Sequence, residues 1–312
     1  MSGHALASCA APADTRRAIL RMAGFGIAWA VLEAGVGGRM QGHYPLLQVV
    51  WCRYAVHLAT LGLLFGWRRP DRLWTTARPG YQMTRSMLML VMPVSFVTAL
   101  DAGIAGNTIW AMFWVSPVLI IVIARAVLGE RASWSQWAMA AIGAAVVAFM
   151  VDPLLPPSPP LLLMIPVVMA LSFSAYVVMT RSLSGERVLA NLFYTALGVF
   201  LALTPLMPMV WVTPSWHDAA VLIGIGMLGL VALFALDRSA SLAPVSATAP
   251  ILYIQVVALA LVEFLNGHSL SHRTLAGAAV IAAIAGFQWR LDTSREAVRG
   301  GAPADFVREA AR

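Results

Sequence analysis

The chain has no lysine, and only 11% of its residues are charged. A water-soluble domain of this size needs roughly 25% charged residues to cover its surface. A soluble fold is therefore excluded. The missing lysine also removes any Walker-type Gly-Lys phosphate loop, so ATP-driven pumping by this polypeptide alone is not expected. There is no nucleophile elbow and no HExxH sequence. Cysteine is scarce: Cys9 lies in the N-terminal tail and Cys52 in an apolar run, which defines no disulfide framework. Leu6-Ala7-Ser8-Cys9 resembles a lipoprotein cleavage box but lacks the preceding apolar stretch, so the tail reads as cytosolic.

What the chain does have is hydrocarbon. Of its residues 60% are hydrophobic, and they fall in runs long enough to cross a core about 30 Å thick at 1.5 Å rise per residue. Ten spans can be read, near 19–38, 45–66, 84–100, 104–126, 134–151, 161–180, 188–210, 218–236, 240–262 and 274–290. The fold class expected is an all-α integral membrane protein. The formal charge of +7 comes from arginines that sit between the runs rather than on one face, which argues against nucleic acid. Sixteen of them, from Arg16 and Arg17 through Arg85 and Arg181 to Arg295 and Arg299, lie at one set of membrane edges, against Arg39 and Arg273 at the other. That bias places both termini in the cytoplasm.

A Pro-rich stretch, Asp152 to Pro160, marks the midpoint with five spans on either side. Leu100-Asp101 recurs as Leu236-Asp237, and Gly129-Glu130 is answered by Gly267-His268, at offsets that agree within two residues. A repeat with an odd number of crossings inserts its second copy upside down, which is a device for alternating access around a midplane site. The expected organisation is a tail (1–17), a first five-helix repeat (18–151), an external linker (152–160), a second repeat (161–290) and a charged tail (291–312). Both tails are expected to be poorly ordered.

Several motifs carry a family resemblance. They are Leu46-Leu47-Gln48-Val49-Val50-Trp51-Cys52-Arg53, Trp114-Val115-Ser116-Pro117 followed by Gly129-Glu130-Arg131, Phe173-Ser174-Ala175-Tyr176, Ala243-Pro244-Val245-Ser246-Ala247 with Ala249-Pro250 and Tyr253, and Gly277-Ala278-Ala279-Val280-Ile281. In their order over residues 18–290, they resemble the drug/metabolite transporter superfamily in its EamA type. His268 stands where the family has a second Glu, and Met139 where Gly is common. The resemblance implies a bacterial inner-membrane permease with a central cavity lined by spans one, three, four, six, eight and nine.

Ionisable groups inside a bilayer cost about 2.5–3.5 kcal/mol each, so each needs a reason. Glu33 and Arg53 lie at matching depths in spans one and two. They read either as a coupling site for a proton or cation or as a structural ion pair; for Arg53 the structural role is favoured. His57 is expected to hydrogen-bond within the bundle, and Glu263 to be solvated. Met22, Phe25, Trp29 and Glu33 share one helical face, as do Asn107, Trp110, Trp114 and Pro117. Trp29, Glu33, Asn107, Trp110, Trp114, Tyr176 and Tyr253 are the candidate cavity residues, where a ring offers stacking to a planar solute. Plain helix packing is the competing account of each aromatic. Gln255 points away from Tyr253 and is assigned to a helix–helix contact. Pro117 and Pro250 are candidate hinges, and Gly224, Gly226 and Gly277 read as close-packing positions. His268 and His272 form only half a zinc site, so neither a metal nor a cofactor is expected.

The function expected is a facilitator or proton-coupled carrier of a small organic metabolite, such as an amino acid, with export favoured. The alternative is an uptake permease for a vitamin, nucleobase or nucleoside-like solute. From another class come an intramembrane enzyme and a non-transporting membrane subunit. The partners are the solute and the lipid bilayer, and association of two copies as a homodimer stays open.

Overall fold

The computed structural model describes residues 12–35, 40, 42–66, 71–152, 159–267 and 269–300. They are all-helical, with no strand among them. In lipid no water pairs with exposed backbone, so each apolar run satisfies its N–H and C=O groups internally. The long helices are α1 (Pro12–Gly35), α2 (Leu46–Gly66), α3 (Pro79–Asp101), α4 (Gly106–Leu128), α5 (Trp134–Val151), α6 (Pro160–Ser182), α7 (Val188–Val210), α8 (Trp216–Leu242), α9 (Val245–Leu265) and α10 (His272–Gly300). The eight helices α2 to α9 are long and apolar enough to cross a membrane. α1 begins well before residue 19, and α10 runs beyond 290 to Gly300, so the inner part of each expected tail is helical.

Local sequence explains the ends. Ser133 opens α5 with a reciprocal cap: its hydroxyl accepts from the Gln136 amide, and the Gln136 side chain accepts from the Ser133 amide. Ser215 caps α8 through the Asp218 amide. Gly129 after α4 and Gly267 after α9 both adopt left-handed backbone (φ +67° and +91°), the conformation that ends a helix without a Cβ penalty. The recurrence of Gly at these two places has a common backbone cause; His268 lies outside the described residues. The Leu-Asp recurrence does not. Asp101 closes α3, whereas Asp237 lies more than a turn inside α8.

The helices pair in a definite pattern. α1 packs on α8 and α9, and α6 packs on α3 and α4; α2 lies against α8 and α7, α7 also against α3, and α10 against α5. Small residues permit some of these approaches. A side chain at Gly226 of α8 would meet Val56 of α2, and one at Gly277 of α10 would meet Met150 of α5; Gly224 has open space around it. Gly226→Leu is expected to destabilise the protein by about 1–3 kcal/mol through overpacking, and Gly224→Leu to leave it near neutral. Melting temperatures in detergent would show the contrast, and equal shifts would refute it.

Candidate functional site

The middle of α4 is broken. Pro117 lacks the N–H that would bond the Phe113 carbonyl, and a turn at Trp114–Val115 separates the two halves of the helix. The freed carbonyls find other partners. Ser116 Oγ donates to the Phe113 carbonyl; beside it Ser174 of α6 ties the second half of α4 by donating to the Ser116 carbonyl at 3.1 Å. The Tyr253 hydroxyl of α9 lies 3.1 Å from the Trp114 carbonyl and 2.8 Å from that of Ala140 in α5. Gly143 makes room for the Tyr253 ring. α9 is itself irregular beside the break, tightening to a 3-10 helix over Ala249–Tyr253 around Pro250. Both proline positions are thus real interruptions, and buried protein groups satisfy the α4 break.

Above this layer lies a cavity of about 740 Å³. Its wall includes Trp29 and Glu33 of α1, Val49, Val50 and Arg53 of α2, Met89, Met92, Pro93, Phe96 and Asp101 of α3, Trp110 of α4, Met169 of α6, and Leu259 and Glu263 of α9. It opens at the membrane face where α1, α3 and α9 end and α2 and α4 begin, past Tyr44, Leu100, Gly106 and Asn266. At the deep end the Trp29 indole donates to Glu33 Oε1 at 3.0 Å, and Gln255 Nε2 donates to Glu33 Oε2 at 2.9 Å. Gly26 lets α9 approach closely enough for this, since a Cβ there would come within 2.8 Å of Ile254. The Arg53 guanidinium lies 5.1 Å from the ring centroids of both Trp29 and Tyr54. The Phe96 and Trp110 rings lie 5.4 Å apart, tilted by 46°. At the rim, Tyr44 donates to Asp218 at 2.7 Å; that bond raises the phenol's pKa above its ordinary value and keeps it a donor.

The opposite membrane face is tied shut. Glu130, just past α4, accepts from the amides of Val245 and Ser246 at the start of α9, at 3.2 and 3.0 Å. Arg181 of α6 lies 3.5 Å from Glu130 and donates to the carbonyls of Ala240 and Ser241 at the end of α8. One ion pair therefore clasps both sides of the α8–α9 junction. Between this clasp and the cavity sits a second polar cluster. Arg85 of α3 is 1% exposed and donates to Thr180, Gln82, Thr195 and the Asn191 carbonyl, with Asp237 of α8 at 4.0 Å.

The structure brings some of the expected residues together and separates others. Trp29, Glu33 and Trp110 line the cavity. Trp114 and Tyr253 do not: they belong to the aromatic floor, 5.9 Å apart, with Phe113, Phe173 and Phe25. Tyr176 lies deeper still, beneath the Arg85 guanidinium. Asn107 is outside the wall and donates to the Asp152 carbonyl, because it faces the loop rather than the bundle axis. Glu33 and Arg53 form no ion pair; Trp29 stands between them, and the carboxylate is held by the indole and Gln255. Gln255, expected as a helix contact, is one: it lies buried outside the cavity wall and joins α9 to α1 by holding the Glu33 carboxylate. His57 is buried in the bundle against the Gly226 backbone and stands edge-on to Tyr54. Arg85 was expected at a membrane edge and is instead wholly buried. Its signal was available in the polar spacing Gln82, Arg85, Ser86 on one face of α3.

The helical bundle with its hollow defines a multi-pass membrane protein. No protein-family model matches the chain. It is similar to the S-adenosylmethionine uptake transporter of Rickettsia prowazekii (strain Madrid E), 25% identical over 207 residues, covering 66% of this chain and 70% of the relative. The protein of that name from Rickettsia felis (strain ATCC VR-1525 / URRWXCal2) is 26% identical over 208 residues, at 66% and 70% coverage. A protein of solved crystal structure shares the fold over 88% of this chain and 98% of its own, with a TM-score of 0.76 at 16% identity.

Proposed function

We propose that this chain is a secondary transporter of the drug/metabolite superfamily that takes up a nucleoside-linked amino acid, S-adenosylmethionine or a close relative, across a bacterial inner membrane. The observation that carries the reading is the cavity, which combines a carboxylate, a guanidinium and indole rings at a size suited to one such solute. Arg53 and Glu33 address the amino-acid end, and Phe96 and Trp110 offer faces for a planar base. Uptake replaces the export expected from the sequence, because the relatives are named for uptake.

The proposed architecture is ten crossings in two inverted halves, residues 18–151 and 161–290, with both termini cytoplasmic. Helix pairing supports it: exchanging α1–α5 for α6–α10 turns the α1–α8 contact into α6–α3, α1–α9 into α6–α4 and α2–α8 into α7–α3, and all of these pairs occur. α2–α7 and α5–α10 map onto themselves. With arginine-rich ends inside, the cavity mouth faces outward and the Glu130–Arg181 clasp faces the cytoplasm. Pro117 and Pro250 would let α4 and α9 bend as the halves rock, and Glu33 would serve as a coupling carboxylate.

Purified protein in proteoliposomes is expected to accumulate labelled S-adenosylmethionine, with uptake saturable and competed by unlabelled solute. Correctly folded protein that moves none would overturn the reading.

A further inference from the structure

The uptake reading can be deepened into a rule about charge. The described residues of the cavity wall carry three carboxylates, Glu33, Asp101 and Glu263, against one guanidinium, Arg53. This inverts the balance of a chain whose formal charge is +7. Arg53 is 8% exposed and its Nε has no acceptor. None of the ion pairs among the described residues includes it. A guanidinium that lines an open hollow and has no carboxylate partner in the protein matches a carboxylate on the solute, whose two oxygens fit the fork.

On the other side of Trp29, Glu33 already accepts one hydrogen bond on each oxygen. A carboxylate has about four lone-pair sites, so each oxygen can accept once more, from a cation in the cavity. The two charges stand one indole apart, the geometry for the carboxylate and ammonium of an α-amino acid. Asp101 and Glu263 remain at the rim, and no ion pair engages either among the described residues. Their field favours further positive charge on the part of the solute nearest the mouth.

We infer that the cavity selects solutes with one carboxylate and two cationic centres: Arg53 holds the carboxylate, Glu33 the α-ammonium, and Asp101 with Glu263 a second cation such as a sulfonium. This rests on the uptake reading but fails separately from it. The test is competition against labelled S-adenosylmethionine uptake in proteoliposomes by its neutral thioether counterpart, S-adenosylhomocysteine, by decarboxylated S-adenosylmethionine, and by arginine.

Each defective adenosyl analogue is expected to compete at least about tenfold more weakly than S-adenosylmethionine, the ratio that one lost charge contact of about 1.4 kcal/mol produces. Arg53→Gln should abolish discrimination against the decarboxylated analogue. Should that buried substitution fail to fold, the rim variant Asp101→Asn/Glu263→Gln, at the cavity mouth, should abolish discrimination against the thioether. Equal competition by the thioether and S-adenosylmethionine in the unmodified protein would overturn the charge rule while leaving the uptake reading intact. Uptake of labelled arginine with none of S-adenosylmethionine would keep the rule and overturn the nucleoside reading. Uptake of neither would overturn both.

Discussion

Arg85→Leu is expected to cost the protein about 3–5 kcal/mol of stability, because it strands a buried carboxylate. In the folded chain Asp237 is 5% exposed and has two positive-side partners, the Arg85 guanidinium at 4.0 Å and the Asn191 side-chain amide at 2.9 Å. Gln82 donates to Asn191 Oδ1 at 2.6 Å and accepts from Arg85, so the cluster is closed on itself. Removing the guanidinium leaves the buried Asp237 carboxylate with the Asn191 amide and the more distant Arg238 charge, and Thr180, Thr195 and the Asn191 carbonyl each lose a donor. Leucine fills some of the space but supplies no hydrogen bond. The double variant Arg85→Leu/Asp237→Leu is expected to recover much of the loss, since a charge pair replaced as a pair leaves no orphan. A double-mutant cycle on unfolding in detergent separates the coupling from the volume change. A loss below about 1 kcal/mol for the single variant would show that the cluster contributes little to holding α3, α6, α7 and α8 together.

Glu130→Ala should act on the balance of states more than on folding. Its carboxylate caps two α9 amides and pairs with Arg181, which itself holds the last carbonyls of α8. These contacts exist while the face opposite the cavity is shut, and the rocking motion proposed above would break them. Loss of charge-assisted bonds worth about 2 kcal/mol changes a two-state ratio roughly thirtyfold. In the variant, a cysteine placed at Val97 in the cavity wall should therefore react more slowly with a membrane-impermeant thiol reagent added at the mouth face. Glu130→Asp, one methylene shorter, should fall between. Labelling unchanged in Glu130→Ala would mean the clasp persists in both states or contributes to neither.

The legibility of the site divides along helical faces. The stripe Met22, Phe25, Trp29 and Glu33 was readable because residues three and four apart share a face, and that face is where α1 meets the cavity and core. The same rule grouped Trp110 with Trp114, yet the turn at Trp114–Val115 rotates the chain, so the first lines the cavity and the second drops into its floor. Tyr253 and Gln255 do lie on opposite sides of α9, and Gln255 makes the expected helix contact, to Glu33 of α1; Tyr253 misses the cavity because the 3-10 stretch turns it toward α5.

Composition alone required lipid as the solvent, since too few charged residues exist to cover so many apolar runs in water. Run lengths placed the helices in order, missing most at the start of α1 and at the ends of α8 and α10, and each helix closes its own backbone bonds whatever its neighbours are. Which charges meet was another matter. Arg85 with Asp237, Arg181 with Glu130, and the separation of Arg53 from Glu33 by an indole depend on how helices distant in sequence cross and rotate. Those angles come from the close approaches at Gly26, Gly143 and Gly226 and from the break at Pro117, contacts between segments that no local pattern specifies.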